Sequence, residues 1–385
     1  METDRKKAMV PGTNGEIPLR PLHPKRVLFF GKRKSRSCCT GALVDALRSR
    51  GLQVLWINCS LFRRWLGSYG MHGAVRLCRR LYRPDLCFVF FHDLPPILMA
   101  EFSKRIPTVV WMEEQTQFLE SSHIEYVRDA RLLCLSTPSL VRAYRAHGIE
   151  HATFQMSGFS PKYHRPFETG ERDGVWERDL AFIGGPGHMG NRPEFLAGIS
   201  EVMNLEIFGR KESWLPYLER YPTLRLSGEV RPRGYARVCA TSKILLGLNQ
   251  THDSHLYFSN RFFLTLACKG FHLVRYVPGI EKVFRNGEHL VWFRSREECL
   301  ELAGHYLERD EERRRIAEAG HALVREKHSY GNRVAEILDI LALRRGLSCP
   351  EEDGSPPLRP TLLLPKKGAA QSREEEEGLR KVEWA

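Results

Sequence analysis

Short apolar runs alternate with helix-period segments along most of this chain, and that alternation limits the fold more than any other feature. Residues 26–30 read RVLFF, 54–57 VLWI, 86–91 LCFVFF, 108–112 TVVWM and 132–136 LLCLS. Each run is apolar on both faces and is bounded by glycine, proline or polar residues, as expected of strands covered on both sides. Between them, 39–50, 68–82, 96–104 and 138–146 read as helices. Strand–helix units repeated in this way predict a doubly wound parallel sheet, whose ligands bind beyond the carboxyl ends of the strands. Those ends carry Gly31 and Lys32, His92 and Asp93, and Glu113 and Glu114.

The layout then repeats. Runs at 179–183, 205–208, 224–228 and 243–248 read as strands, with helices from 193 and at 235–242. In the stretch 259–293, Phe262, Phe263, Leu266 and Ala267 recur at helical spacing. Lys269-Gly270 stops that helix, with Gly270 expected to supply the left-handed cap. A strand at 271–274, a turn at Val277-Pro278-Gly279, a second short helix from Ile280 and a last strand ending at Phe293 follow. The whole predicts an α/β protein of two Rossmann-like domains facing across a cleft.

A chain of 385 residues with 42% hydrophobic content is large enough to bury two cores. The expected division is a disordered tail over 1–24, a first domain over 25–175 ending in a polar linker at 167–177, a second domain over 176–345, and a low-complexity tail over 346–385. No run of eighteen apolar residues exists, so no spanning helix is expected, and residues 1–24 lack the apolar centre of an export signal. A cytoplasmic setting with ten reduced cysteines follows as the expectation. No CxxC pair, DxD motif or metal-ligand cluster is visible, and no cofactor is expected.

The formal charge of +13 suits a phosphorylated ligand or an acidic lipid surface. Much of it is arginine spread along helices, and no dense basic run interleaved with aromatics argues for nucleic acid. The loop of Gly184 and Gly185 lies between a strand and a helix, where backbone N–H groups can face a phosphate. Arg210 and Lys211 follow the next strand and can pair with a pyrophosphate. Asn249 ends a further strand, and Ser259, Asn260 and Arg261 open the helix of the 259–293 stretch.

Ser259-Asn260-Arg261, Phe263, Leu266-Ala267, Gly270-Phe271 and Leu273 resemble the first part of a pattern found in the CgeB-like (spore-maturation-type) glycosyltransferases. Pro278-Gly279, Glu281 and Phe284 resemble its second part; Gly287-Glu288, Leu290-Val291 and Phe293 resemble its third. Pro107, Val109, Trp111, Glu113 and Glu114 resemble the family's P-x-V-x-W-x-x-D-D, with glutamates for aspartates. Lys162 to Pro166 resembles its inter-domain element, and His328, Tyr330 and Arg333 match its closing H-x-Y-x-x-R. These last were expected to pack rather than to act.

The resemblance implies a GT-B glycosyltransferase that moves a sugar from a nucleotide-sugar donor to an acceptor (glycan, lipid or protein) without a metal. Gly184, Gly185, Arg210, Lys211, Asn249, Ser259, Asn260, Arg261 and Glu281 would bind the donor. Gly31 and Lys32 would face the acceptor. Glu113, Glu114, His92 and Asp93 are the candidate bases for an inverting reaction. Leu264 stands where the family usually has an acid that holds the donor ribose. That exchange keeps a second reading open, a catalytically idle nucleotide- or sugar-binding module on the same fold.

Overall fold

The computed structural model describes residues 20–32, 38–113, 118–167, 177–187, 191–351 and 361–363. The first domain opens with β1 (Arg26–Phe30), α1 (Cys38–Ser49), β2 (Gln53–Ile57), α2 (Cys59–Tyr82) and β3 (Leu86–Phe90). It continues with α3 (Pro96–Ser103), β4 (Thr108–Met112), β5 (Phe118–Glu120), α4 (Ser121–Val127), β6 (Leu132–Leu135), α5 (Pro138–Ala146) and β7 (Ala152–Phe154). Six of these strands form one parallel sheet in the order β2-β1-β3-β4-β6-β7.

The second domain runs β8 (Arg178–Ile183), α6 (Arg192–Ser200), β9 (Leu205–Phe208), α7 (Lys211–Arg220), β10 (Arg225–Leu226), α8 (Pro232–Thr241) and β11 (Ser242–Gly247). Then come α9 (Asn260–Ala267), β12 (His272–Arg275), a 3₁₀ turn (Ile280–Lys282), β13 (Val291–Phe293), α10 (Arg296–Leu307), α11 (Asp310–Lys327) and α12 (Tyr330–Leu341). Its sheet is also parallel, in the order β10-β9-β8-β11-β12-β13. The apolar runs are buried because helices cover both faces: Val27 to Phe30 and Leu180 to Phe182 have no exposed surface.

Strand order fixes where ligands go. In the first sheet the chain reverses direction between β1 and β3; in the second it reverses between β8 and β11. A crevice opens beyond the carboxyl ends of such a strand pair, because the following connections leave to opposite faces.

The last helix does not stay with the second domain. α12 lies against α1 of the first, with Tyr330, Val334, Ile337, Ile340 and Leu341 in the same apolar cluster as Val27, Phe29, Leu43 and Trp111. A boundary at 345 therefore assigns to the second domain a helix that packs on the first. The crossing is fixed by backbone bonds, Phe159 N–H to His328 O at 3.3 Å and Tyr330 N–H to Phe159 O at 2.9 Å. Gly158 permits this approach, since a Cβ there would sit 2.9 Å from the His328 carbonyl oxygen.

Both expected tails begin as bound chain. Leu22 donates its amide to Leu341 O at 2.9 Å and packs on the α1–α12 cluster. Ser348 O accepts from Phe154 N at 2.7 Å, so the chain leaving α12 covers the outer edge of β7. A third, two-stranded parallel sheet pairs β5 with β14 (Thr361–Leu363). Residues 1–19, most of the expected linker (168–176), and 352–360 and 364–385 of the tail lie outside the described residues.

Three local expectations also change. α2 starts nine residues before 68, because its two halves meet at Gly67 with φ 66° and ψ 179°. Lys269, not Gly270, takes the left-handed position after α9, with φ 61°. Gly270 is there for space: a Cβ would meet Thr265, Cys239 and Leu245 at 3.0–3.3 Å. The helix expected from Ile280 is one 3₁₀ turn.

If α12 holds the domains together, truncating its buried face is costly. Ile337→Ala, at a side chain 1% exposed, is expected to lower unfolding free energy by about 2–4 kcal/mol in urea titration. A loss well under 1 kcal/mol would mean that the helix is not bound to the first domain.

Candidate active site

At the crevice between β8 and β11, two guanidinium groups meet. Arg192 opens α6 and is 6% exposed. Its Nη1 donates to Gly185 O at 2.6 Å and its Nη2 to Leu248 O at 3.2 Å. Arg261, half-buried near the start of α9, donates Nη2 to the same Leu248 carbonyl at 3.4 Å. Both lie over the ring of Phe182, at 5.5 and 6.0 Å from its centre. Among the described residues neither has a carboxylate partner, and Arg192 Nε has no hydrogen-bond partner.

Burial pulls the Arg192 guanidinium down to about 9, with the neighbouring charge of Arg261 as the second cause. Burial also lowers Arg261. Two like charges held out of water cost free energy unless a counter-anion arrives. An anion in this crevice is therefore favoured by the fold that keeps both arginines in place.

Gly184 lies against the pair, where a Cβ would come within 2.9 Å of Arg261 Nη1. Its own backbone is already used: the amide donates to Phe208 O at 2.8 Å and the carbonyl accepts from Trp214 Nε1 at 2.9 Å. The Gly184-Gly185 turn thus positions arginines rather than presenting the Gly184 amide. Arg210 stands at the N-cap position of α7, one strand further out, without a side-chain cap bond, and Lys211 opens that helix exposed. Asn249 is a staple: its Nδ2 donates to Tyr257 O at 2.8 Å and its Oδ1 accepts from Ser259 N at 3.0 Å. Together they set the entry of α9. Glu281 is exposed on the 3₁₀ turn and accepts from Tyr276 Oη at 3.4 Å.

Asn260 reaches the first domain, placing Nδ2 3.7 Å from the Cys39 Sγ on α1. Cys39 in turn neighbours Glu113, at the end of β4. Glu113 is 9% exposed and accepts from Tyr330 Oη at 3.0 Å and from Ser157 Oγ at 3.4 Å. Burial pushes its carboxyl up to about 7, although donors from Tyr330, Trp111, Ser157 and Cys39 act the other way. Arg333 Nε holds Ser157 O at 3.1 Å, and its Nη2 is 2.7 Å from His328 Nδ1. His328, Tyr330 and Arg333 therefore build the wall behind Glu113.

At the first crevice, Asp93 Oδ2 accepts from the Lys32 amide at 2.9 Å. The carboxylate closes the loop between the two strand ends. Gly31 is buried, its amide donating to Ile57 O at 3.2 Å and its carbonyl accepting from Trp56 Nε1 at 2.9 Å. The Lys32 side chain is exposed. His92 keeps solvent contact at the rim, its ring 5.2 Å from His123 and 4.7 Å from Tyr126. The surrounding mass of protein, then the charge of His123, hold the imidazole down to about 4. Glu114 lies outside the described residues. Among the described residues no three His, Cys, Asp or Glu side chains gather as metal ligands.

Sequence reasoning did not single out Arg192, Ser157 or Cys39, and it took Tyr330 as a packing residue only. The local signal that could have found Arg192 is a cation at the end of the glycine-rich loop. The others depend on α12 crossing to the first domain, which no local pattern shows.

Comparison with known proteins places these features on a named frame. Residues 192–339 match the family model described as glycosyl transferase-like. HepE of Anabaena, solved with UDP-glucose, superposes with TM-score 0.57 at 12% identity, over 83% of this chain and 100% of its own. Sucrose-phosphate synthase of Thermosynechococcus elongatus gives 0.58 at 9% identity, over 83% of this chain and 97% of its own. A glycosyltransferase from Rickettsia africae gives 0.56 at 10%, over 83% and 99%. No curated protein matches the chain. The frame is GT-B, and residues 192–339 form its glycosyl transferase-like domain.

The Glu113 carboxyl gives a signed pH effect on stability. Its folded value is raised from 4.5 to about 7, so between these values the folded chain holds a proton that the unfolded chain has lost. Its contribution is fully present at low pH and is lost as pH rises through that window. Glu113→Gln cannot ionise and keeps an acceptor for Tyr330. It is expected to be more stable than wild type at pH 8, by on the order of 1–3 kcal/mol, with no gain at pH 5. Urea titrations at the two pH values measure this; a loss at pH 8 would show that the ionised carboxylate is the form the fold favours.

Proposed function

We propose that the chain moves a sugar from a nucleotide-sugar donor to a glycan, lipid or protein acceptor without a metal ion. The observation that carries this reading is the carboxylate-free pair Arg192 and Arg261 at the β8–β11 crevice. A departing nucleoside diphosphate supplies the anion that this pair lacks, and guanidiniums bind phosphate oxygens with charge-assisted bonds. HepE holds UDP-glucose on the same frame, which supports a uridine nucleotide as the first donor to try. Arg210 and Lys211 extend the positive edge, while Asn249 and Ser259 orient α9, whose N-terminal Asn260 faces the first domain. Glu281, exposed on the 3₁₀ turn after β12, is the remaining donor-side candidate.

In this reading Glu113 is the base. A carboxyl near 7 is half ionised at neutral pH, suited to taking a proton from an acceptor hydroxyl and releasing it again. His92, neutral at that pH, is the alternative at the neighbouring strand end, with Asp93 holding the Lys32 loop that borders the acceptor. Glu114 remains a proposed base on sequence grounds alone.

The likeness of 259–293 to CgeB-like transferases falls inside the matched domain and belongs to the same proposal. So does a cytoplasmic setting, compatible with cysteines that form no disulfide among the described residues. Contact with an acidic lipid surface is compatible with the charge of +13, and no helix among the described residues is long and apolar enough to cross a membrane. One observation favours the idle-module reading: Leu264 packs half-buried between two apolar clusters, so an apolar side chain fills the family's acid position.

Two measurements decide. Calorimetry with UDP should show binding, and Arg261→Ala should weaken it by about 1–3 kcal/mol, roughly 5–150-fold. Unchanged affinity would remove the diphosphate from this crevice. Release of nucleoside diphosphate from a panel of nucleotide sugars in chelator, with cell extract as acceptor source, should rise with pH through about 7 and fall at least a hundredfold in Glu113→Gln. Binding without release for every donor would favour the idle module.

A further inference from the structure

A polar cavity of about 240 Å³ opens beside the arginine pair, lined by Asn191, Arg192, Phe195, Thr251, His252 and Arg275, with Asp253 exposed at its rim. It is smaller than the ~300–1,000 Å³ typical of pockets for drug-sized ligands, so it suits a single sugar ring rather than a whole nucleotide. Its chemistry is charged. Arg192 and Arg275 both line it, and the Arg275 guanidinium stacks over the Phe195 ring at 5.9 Å from its centre. Among the described residues Arg275 makes no ion pair. Asp253, the single acid on the wall, uses its amide on Thr251 Oγ1 at 3.4 Å. Two cations and one acid leave the cavity with a net positive charge.

Two buried nitrogens on this wall are also unsatisfied. Arg192 Nε and His252 Nδ1 are both out of solvent and lack a hydrogen-bond partner among the described residues. Burial, then the charges of Arg275 and Arg192, hold the His252 imidazole down to about 3, so at neutral pH it is uncharged. A neutral ring whose Nδ1 still lacks a partner is suited to a hydroxyl, which both donates and accepts. Thr251 and Asn191 add further groups of the same kind.

We propose that this cavity holds a sugar unit carrying a negative charge, a hexuronate or a sugar phosphate, with the anionic group on Arg275 and Arg192 and ring hydroxyls on His252, Asn191 and Thr251. The inference rests on the transferase reading, with the cavity as its sugar subsite. A neutral hexose would leave Arg275 facing hydroxyls, which bind a guanidinium less strongly than a carboxylate or phosphate does.

Calorimetry tests it with UDP, UDP-glucose, UDP-glucuronate, free glucuronate and glucose 6-phosphate on wild type and Arg275→Gln. A donor hexuronate predicts UDP-glucuronate at least about tenfold tighter than UDP-glucose in wild type, with the difference abolished in Arg275→Gln while UDP affinity holds. A charged acceptor predicts instead that glucose 6-phosphate binds wild type and is lost in the variant. Equal affinity for the two donors, with no binding of either free anionic sugar, overturns the proposal while leaving UDP binding intact. If UDP itself does not bind, the donor reading fails, and free glucuronate or glucose 6-phosphate binding to wild type but not to the variant still decides the cavity. Should Arg275→Gln lose its cooperative unfolding, His252→Phe, which removes the ring nitrogens and keeps both charges, is the second variant; the same sugars must then bind it at least about threefold more weakly.

Discussion

Two guanidinium groups share one backbone carbonyl in a place where no described carboxylate answers them. Arg192 also grips Gly185 O, so the cation is fastened to the ends of both β8 and β11. Moving it would take the guanidinium from Gly185 O and leave Leu248 O to Arg261 alone. The fold therefore retains a charge that burial opposes, and it stores the means to favour an anion. The strand order places this pair where the sheet reverses, and the Gly184 turn leaves just enough space for Arg261. A small preorganised cationic site of this kind gains most when charge develops on a leaving group, because it needs no rearrangement at that moment.

The acidic partner of this arrangement is assembled by a helix from the far end of the chain. α12 buries its apolar face on α1 and delivers the Tyr330 hydroxyl to Glu113. Burial of the carboxyl and its hydrogen bonds pull in opposite directions, and burial wins. Asn260 touching Cys39 closes the path from that carboxyl back to α9 and its arginine. Glu113 and the arginines are thus held by different domains, and the crossing helix is what fixes their relation.

Much of the frame was legible in the chain itself. The runs RVLFF, TVVWM and LEIF are too short and too apolar to be anything but strands covered on both faces, and β4 and β9 fall on the expected residues. Strand ends then named the loops that matter. What stayed hidden was non-local. Ser157 and Cys39 are ordinary residues in their own segments, and they meet Tyr330, read as a packing residue, only through the crossing helix. Asp93, Asn249 and Gly31 were expected at the site for their positions; the Asp93 and Asn249 side chains hold backbone, and the Gly31 amide and carbonyl are bonded to Ile57 O and Trp56 Nε1. A polar residue at a strand end reads the same in sequence whether it faces ligand or staples a loop. At 269–270 the glycine signal misled for a related reason: Gly270 is required by packing, and an exposed lysine tolerates the left-handed turn.

In the proposed reading the paired arginines take the diphosphate. A crystal structure of the chain with UDP bound tests it most directly. The account predicts the diphosphate within hydrogen-bond distance of the guanidiniums of both Arg192 and Arg261, at the carboxyl ends of β8 and β11. A diphosphate bound elsewhere on the second domain, with the two guanidiniums still sharing Leu248 O and nothing beside them, would contradict it.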